Sequence, residues 1–322
     1  MLDADVVRSS GWMHPSATAP TRAASGADGR RFEFCRGTTF DLVNRPARRR
    51  PEGFRQLASS KGSEDPRADR RAQHYGLMAL PQRSDLVADT TRERRSLLPA
   101  LRWVAVAGAV VGAVLYSNWL LEIVFTGMLP DPDLFISELA AADQPYAEWF
   151  RGCDLAAAVV LVVAAAAALV GVRGGRWSRR GWWTLGVFAV ATGLDSTVWT
   201  LVCAPSSDAA CAAREASGAV PIGHQLHLLS SAIVVVAAIV SLFAFVVADL
   251  CERGPAPVRR VGLFMLAALI GTSVWTGVAV AIDSADGAGE VGIAQRAELA
   301  AVAGWLIYVA LRTARARMGT SS

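Results

Sequence analysis

Long apolar segments dominate the last two-thirds of the chain and restrict the folds that it can adopt. Six such segments lie at about 101–125, 154–172, 181–203, 227–249, 261–282 and 297–313. A helix needs about 20 consecutive apolar residues to cross the hydrocarbon core of a bilayer, and the first five segments meet this length. We therefore predict an all-α, polytopic membrane protein with six transmembrane helices in a domain spanning residues 100–315.

A bundle of long soluble helices is the alternative fold. Soluble core helices carry a polar stripe on the face turned to water, and the segments 154–172 and 232–248 carry none. Charged residues make up 19% of the chain, below the roughly 25% that is usual for soluble domains. Both observations favour a lipid bilayer as the surroundings of these helices.

Residues 1–99 differ from the rest of the chain in composition. They hold 18 of the 32 basic residues and 12 of the 28 acidic ones, with many Ser, Pro and Gly and no sustained apolar period. This composition predicts a disordered, basic, cytoplasmic tail; the alternative is a start codon assigned too early, with Met78 as the first residue. The basic excess comes without a recognition fold, so we expect no nucleic-acid partner. The sequence identifies no protein partner.

Arginine clusters alternate with acidic loops along the chain. They stand before the first segment, after the second, after the fourth and after the sixth, whereas the other three loops are acidic or near neutral. Loops rich in Lys and Arg stay on the cytoplasmic side, so we predict a plasma-membrane protein with both termini in the cytoplasm. The clusters comprise Arg92, Arg94, Arg95, Arg102, Arg173, Arg176, Arg179, Arg180, Arg253, Arg259, Arg260, Arg312, Arg315 and Arg317.

Asp195 is a carboxylate inside the third apolar segment. Counting about 1.5 Å per residue back from Cys203 places it roughly 12 Å along a helix from the outer boundary. A charge at such depth is costly, and ionisable residues inside membranes commonly mark functional sites. We expect a site residue that faces a water-filled cavity open to the outside; the structural alternative is a hydrogen-bonded Asp that ties helices together.

His224 and His227 stand three residues apart at the start of the fourth segment. They share a helix face if the helix begins by Gly223. Two imidazoles so placed could hold a divalent metal ion together with Asp195, or relay protons near neutral pH. The alternative is a pair of interfacial histidines that bond to loop backbone.

Two more carboxylates complete the set of candidate catalytic residues. Glu138 lies in the first outer loop, and Asp154 opens the second segment, where it either caps the helix or joins the site. The other candidates are Asp195, His224 and His227. A divalent metal is the one cofactor that this set suggests, and no nucleotide-binding motif accompanies it.

Cysteines in the outer loops predict a disulfide. Cys203 and Cys211 lie eight residues apart in the second outer loop, and disulfides persist outside the cytosol. We predict a bridge between these two residues; Cys153, near the same surface, is the competing partner.

Three stretches together resemble a bacterial membrane-protein family catalogued as domain of unknown function 998. They are ISELAAADQPYAEWFRGCD at 136–154, the stretch from Asp195 to Cys211, and HQLHLLSSA at 224–232. The resemblance covers about 100–313 and implies a multi-pass membrane protein of about six helices. It implies no activity.

Three classes of function fit these features. The first is a membrane enzyme that acts on a lipid or envelope substrate from an outward-facing polar cavity, with imidazole and carboxylate groups as acid, base or metal ligands. Alternatively it is a transporter or small-molecule binder that uses the same cavity. The third class is an accessory subunit without chemistry, in which the polar groups hold the helices together.

Overall fold

The computed structural model describes residues 83–126, 134–252, 254–286 and 290–316, and within these ranges all regular structure is helical. The predicted disorder of residues 1–82 lies outside the described residues, and the first helix begins well before the expected start near residue 100. In chain order the elements are α1 (Arg83–Leu115), a 3-10 helix (Asn118–Leu121), α2 (Glu122–Thr126), a second 3-10 helix (Ile136–Ala140), α3 (Ala147–Gly171), α4 (Arg176–Thr197), α5 (Ala209–Ala216), α6 (Ile222–Cys251), α7 (Ala256–Asp286) and α8 (Val291–Arg315).

Five stretches of the described chain are long and apolar enough to cross a membrane. The helix α4, which contains residues 181–197 of the expected third span, is not among them, so the prediction of six spans is not confirmed. Arginines at the start of α4 and Asp195 in its last turn dilute its apolar content. The five stretches are Leu97–Phe125, Ala147–Gly171, Ile222–Cys251, Ala256–Ser284 and Val291–Arg315.

The helix α4 nevertheless packs against both α3 and α6. Its Trp182 and Phe188 are buried. The Trp182 ring meets Phe245 of α6 edge-on at a centroid distance of 5.3 Å, and the Phe188 ring meets Trp305 of α8 at 5.1 Å. Edge-to-face pairs at such distances stabilise packing beyond the area that they bury. One aromatic core therefore joins α4, α6 and α8.

The helices α1 and α3 approach closely through small residues. A Cβ atom added at Gly108 would lie 2.7 Å from the Cβ of Ala164, and one added at Gly112 would lie 2.5 Å from Cδ2 of Leu161. Close backbone approach at small residues is the usual way in which helices associate in lipid, where the hydrophobic effect offers little driving force.

An ion-pair cluster ties three helices together at the end of the bundle that carries the arginine-rich connections. Arg312 of α8 donates from Nε to Oδ1 of Asp249 over 2.7 Å, and Tyr308 donates to Oδ2 of the same carboxylate over 2.6 Å. Arg312 also reaches the hydroxyl oxygen of Ser178 in α4 at 3.3 Å. Arg312 and Asp249 are both buried, so each charge depends on the other for compensation.

The opposite end of the bundle holds the longer connections. The disulfide predicted between Cys203 and Cys211 is present there and links the start of α5 to the segment after α4. Helix α4 ends at Thr197 instead of continuing to Cys203. Asp195 therefore lies in the last turn of α4, and the continuous helix up to Cys203, on which the expected depth of roughly 12 Å depended, is wrong.

Candidate functional site

The last turn of α4 and the first turns of α6 bring Asp195 and His227 together. The Nδ1 atom of His227 lies 2.9 Å from Oδ1 of Asp195 and 3.3 Å from the carbonyl oxygen of Trp199. Both neighbours are acceptors, so Nδ1 carries a hydrogen, which leaves Nε2 of the neutral ring as the acceptor and base.

Ser230 fixes this pair from one helical turn further along α6. Its fully buried hydroxyl forms a hydrogen bond with Oδ1 of Asp195 and another with the carbonyl oxygen of His227, the latter at 2.8 Å. The carboxylate thus has two partners on α6, and its orientation towards His227 is set by both.

Asp154 lies in α3 and is bonded to the segment after α1. Asn118 donates from Nδ2 to Oδ1 of Asp154 over 2.9 Å and to the carbonyl oxygen of Leu115 over 2.8 Å. The capping role that the sequence offered for Asp154 is wrong, because α3 begins at Ala147 and Asp154 lies two turns inside it. Its carboxylate therefore does not cap the N-terminus of α3.

Glu298 of α8 is a buried carboxylate that was not among the candidate site residues predicted from the sequence. The hydroxyl of Ser273 in α7 donates to its Oε1 over 2.6 Å, and Glu298 is 6% exposed. One turn earlier, Oε1 of Gln295 accepts the backbone N–H of Ile136 over 2.6 Å. The first turns of α8 therefore contact both α7 and the second 3-10 helix.

One cavity of about 130 Å³ is lined by Asn118, Asp154, Asp195, His227, Gln295 and Glu298 among others. Its wall is formed by Tyr116 and the first 3-10 helix, the second 3-10 helix, α3, α4 and the segment after it, α6 and α8, at the end of the bundle that holds the disulfide. Its lining combines polar and charged groups with three aromatic rings. The polar and charged members include Asn118, Arg151, Asp154, Asp195, His227, Ser231, Gln295 and Glu298, and the rings, together the aromatic part of the lining, are those of Tyr116, Trp119 and Phe150.

Glu138 does not line this cavity, although its neighbours Ile136 and Ser137 do. Its carboxylate accepts the backbone N–H of Ser206 over 3.2 Å and also bonds the Ser206 hydroxyl. Burial raises the pKa of Glu138 above its ordinary value, and the hydrogen bonds from Ser206 lower it again in part. Glu138 therefore joins the 3-10 helix to the disulfide loop.

His224 is also turned away from the cavity. Its Nδ1 accepts the backbone N–H of Val202 over 3.1 Å, and its Nε2 lies 3.6 Å from Oε1 of Glu215. The ring is 2% exposed. His224 and His227 thus face different partners, and the loop-bonded alternative from the sequence describes His224.

The family described as protein of unknown function (DUF998) matches residues 110–312, which is more than half of the chain. The chain belongs to this family. No curated protein and no solved structure matches it. The DUF998 match spans every residue named above for the cavity, from Tyr116 to Glu298.

The metal site suggested by the sequence is not assembled in this DUF998 chain. The described residues contain no group of three His, Cys, Asp or Glu side chains that could hold a metal ion. The Nδ1 lone pair of His224 is already used by Val202, and Nδ1 of His227 carries a hydrogen directed at Asp195. A structural or catalytic zinc needs three or four converging ligands, and these residues do not supply them.

The contacts therefore favour proton chemistry at His227. A carboxylate bonded to Nδ1 fixes the tautomer and orientation of an imidazole and stabilises its charged form. The Asp195–His227 pair has this arrangement, and it borders a cavity large enough for a small group. The sequence named both members of the pair; Asn118, Ser230 and Glu298 come from segments whose proximity has no local signal.

Proposed function

We propose that this DUF998 member is an integral plasma-membrane protein with six crossings and both termini in the cytoplasm. The five apolar stretches supply five crossings, and α4, packed against α3 and α6 with buried aromatic residues, supplies the sixth. An even number of crossings is needed to keep both arginine-rich ends on one side. The Cys203–Cys211 disulfide at the other end supports an exterior location for it.

In this orientation the cavity opens towards the outside, and the protein acts there on a lipid or another envelope substrate. The observation that carries this proposal is the contact between His227 Nδ1 and Asp195 Oδ1, made at the lining of a cavity. A carboxylate-oriented imidazole whose second nitrogen is an acceptor is a general base. In the proposed orientation, the His227 imidazole lies in the outer half of the bundle, within reach of a lipid headgroup.

The reaction class is hydrolysis or group transfer with acid–base help. His227 Nε2 accepts the proton of a water or hydroxyl nucleophile as its oxygen attacks, and the imidazolium returns that proton to the leaving oxygen. The Asp195 carboxylate stabilises the imidazolium. Ser230 positions Asp195 through its hydrogen bond. General acid–base catalysis of this kind contributes about 10²–10⁴-fold in rate.

Turnover of envelope lipid tests this proposal. The purified chain is reconstituted with a bacterial total polar-lipid extract, and lipid species are followed by mass spectrometry. We expect a new lipid product with the natural sequence and with Asp208→Asn, a charge change at the cap of α5 outside the cavity. We expect none with His227→Ala. Equal product with and without His227 would remove the catalytic role.

Transport or binding of a cation is the second candidate, favoured by Asp154 and Glu298 at the same cavity. Both carboxylates contact neutral donors, Asn118 and Ser273. Proton-coupled uptake into sealed vesicles, lost in Asp195→Asn and present without any lipid product, would support this candidate over the enzyme.

A further inference from the structure

We propose that the cavity binds an organic ammonium group, held by Asp154 and Glu298 and covered by the aromatic part of the lining. The proposal rests on the proposed function, because it names the charged part of the substrate at the same site. Its basis is the charge left over at the cavity, the aromatic rings beside that charge, and the volume enclosed.

The charges of the cavity do not balance among the described residues. Asp195 forms hydrogen bonds with Ser230 and with the His227 imidazole, which becomes its counter-charge on taking up a proton, and Arg151 is paired with Glu148 over 2.8 Å. That leaves two carboxylates, Asp154 and Glu298.

Neither of these two carboxylates meets a cation in the part of the chain that the structure describes. Asn118 donates to Asp154 and Ser273 donates to Glu298, and in each case one oxygen receives the bond. Glu298 is almost fully buried, with 6% of its surface exposed. A buried carboxylate ionises at the least cost beside a counter-charge, so a cation in the cavity would complete the site.

The aromatic part of the lining selects the kind of cation. Tyr116, Trp119 and Phe150 all border the cavity. Rings attract alkylammonium groups through their quadrupole, and aromatic linings are the usual recognition device for quaternary ammonium. Inorganic cations instead favour a shell of oxygen ligands. The combination of carboxylates and rings therefore favours an organic ammonium group over a metal ion.

The size of the cavity limits the ligand to a headgroup or a small amine. An apolar cavity of roughly 150 Å³ holds one benzene molecule, so about 130 Å³ accommodates a group of about six non-hydrogen atoms. The buried Nε1–H of Trp119 has no hydrogen-bond partner in the described chain. It offers a donor to a hydroxyl or phosphate oxygen attached to the same ligand.

Choline and its neutral isostere 3,3-dimethylbutan-1-ol are the probes for this proposal. The two molecules have the same shape and differ in charge. Each is titrated into the detergent-purified full chain at constant ionic strength, with the change in tryptophan fluorescence as the readout. We expect saturable binding of choline and at least tenfold weaker binding of the alcohol. Equal binding of both, or binding of neither, overturns the proposal.

Variants then locate the binding site. Glu298→Gln and Asp154→Asn should each weaken choline binding at least tenfold, whereas Asp208→Asn, outside the cavity, should leave it unchanged. Two separate cavity variants guard against a folding defect in one, and the thermal midpoint of each is measured alongside. Unchanged choline affinity in a folded Glu298→Gln or Asp154→Asn protein would refute the assignment of these carboxylates.

A last set of measurements separates a lipid headgroup from a free amine, and this proposal from the proposed function. Nanodiscs of phosphatidylcholine should compete with free choline if the ligand is a lipid, and nanodiscs of phosphatidylglycerol should not; with a free amine neither competes. Choline binding without lipid turnover would uphold this inference and reject the enzyme, and turnover without choline binding would do the reverse.

Discussion

The Nδ1 atom of His227 lies 2.9 Å from Oδ1 of Asp195, where α4 stops being helical and α6 begins. This contact joins two helices that are adjacent in the bundle but separated along the chain by the disulfide loop. It also fixes which imidazole nitrogen can act as a base. The Asp195–His227 contact therefore has a structural role and a chemical role, and substitutions can distinguish the two roles.

Asp195→Asn should abolish most of the activity while keeping most of the fold. The amide retains a hydrogen-bonding group beside Ser230 and His227 but cannot stabilise an imidazolium. We expect lipid turnover to fall by about 10²-fold or more, measured with the protein reconstituted in bacterial polar lipids. The thermal midpoint should change little. Asp195→Ala should lower the midpoint further, because it leaves the buried Ser230 hydroxyl without this partner. Full activity in Asp195→Asn would contradict the role of the carboxylate.

The buried ion pair between Arg312 and Asp249 should contribute strongly to stability. Arg312→Met leaves the Asp249 carboxylate buried beside Tyr308 without a cation. We expect a loss of about 3–5 kcal/mol in the free energy of unfolding, measured by denaturant titration in detergent. The control is Arg315→Met, at an exposed arginine one turn later. A loss no larger than that of the control would show that the cluster carries little stability.

Gly181 should tolerate no side chain where α4 crosses α6. A Cβ atom there would lie 2.6 Å from Cε1 of Phe245, and Ser241 donates to the Gly181 carbonyl oxygen over 2.8 Å. We expect Gly181→Ala to cost about 1–3 kcal/mol through overpacking. Gly271→Ala is the matched control, since nothing lies within 4 Å of its added Cβ. A similar unfolding free energy for both variants would argue against the close approach.

The raised pKa of Glu138 predicts a pH dependence of the contact between the second 3-10 helix and the disulfide loop. A carboxyl whose pKa is higher in the folded than in the unfolded protein contributes stability that is fully present below the unfolded value. That contribution is lost as the pH rises through the folded pKa. The natural chain should therefore lose thermal stability relative to Glu138→Gln as the pH rises from about 4 towards 8.

The control for this titration is Glu148→Gln, whose side chain is 93% exposed. It should run parallel to the natural chain at all pH values. A stability difference between the natural chain and Glu138→Gln that grew in the opposite direction would mean that burial does not control this carboxyl.

The apolar segments were enough to predict the helices but not where they end. Apolar character defines the part of a helix that meets lipid, whereas the helix itself continues into polar flanks as long as the backbone bonds are satisfied. The helix α3 thus begins at Ala147, seven residues before its predicted start, and α4 ends at Thr197, six residues before its predicted end. The second difference moved Asp195 close to the end of its helix.

The candidate site was predictable in part for a similar reason. Asp195 and His227 stood out as ionisable residues in apolar segments. The three-residue spacing of His224 and His227 suggested a shared partner, but the backbone N–H of Val202 occupies His224. Asn118 and Glu298 join the site from distant parts of the chain, and single-sequence reasoning has no access to such contacts.

Accessibility of the cavity from one side of the membrane tests the central claim most directly. Ser231 lines the cavity beside His227, so Ser231→Cys places a thiol in it, and labelling by a membrane-impermeant thiol reagent is compared with the unsubstituted chain. We expect additional labelling in intact cells, protection by choline, and none from the cytoplasmic side of inverted vesicles. Additional labelling from the cytoplasmic side alone, or from neither side, would contradict an outward-facing polar cavity.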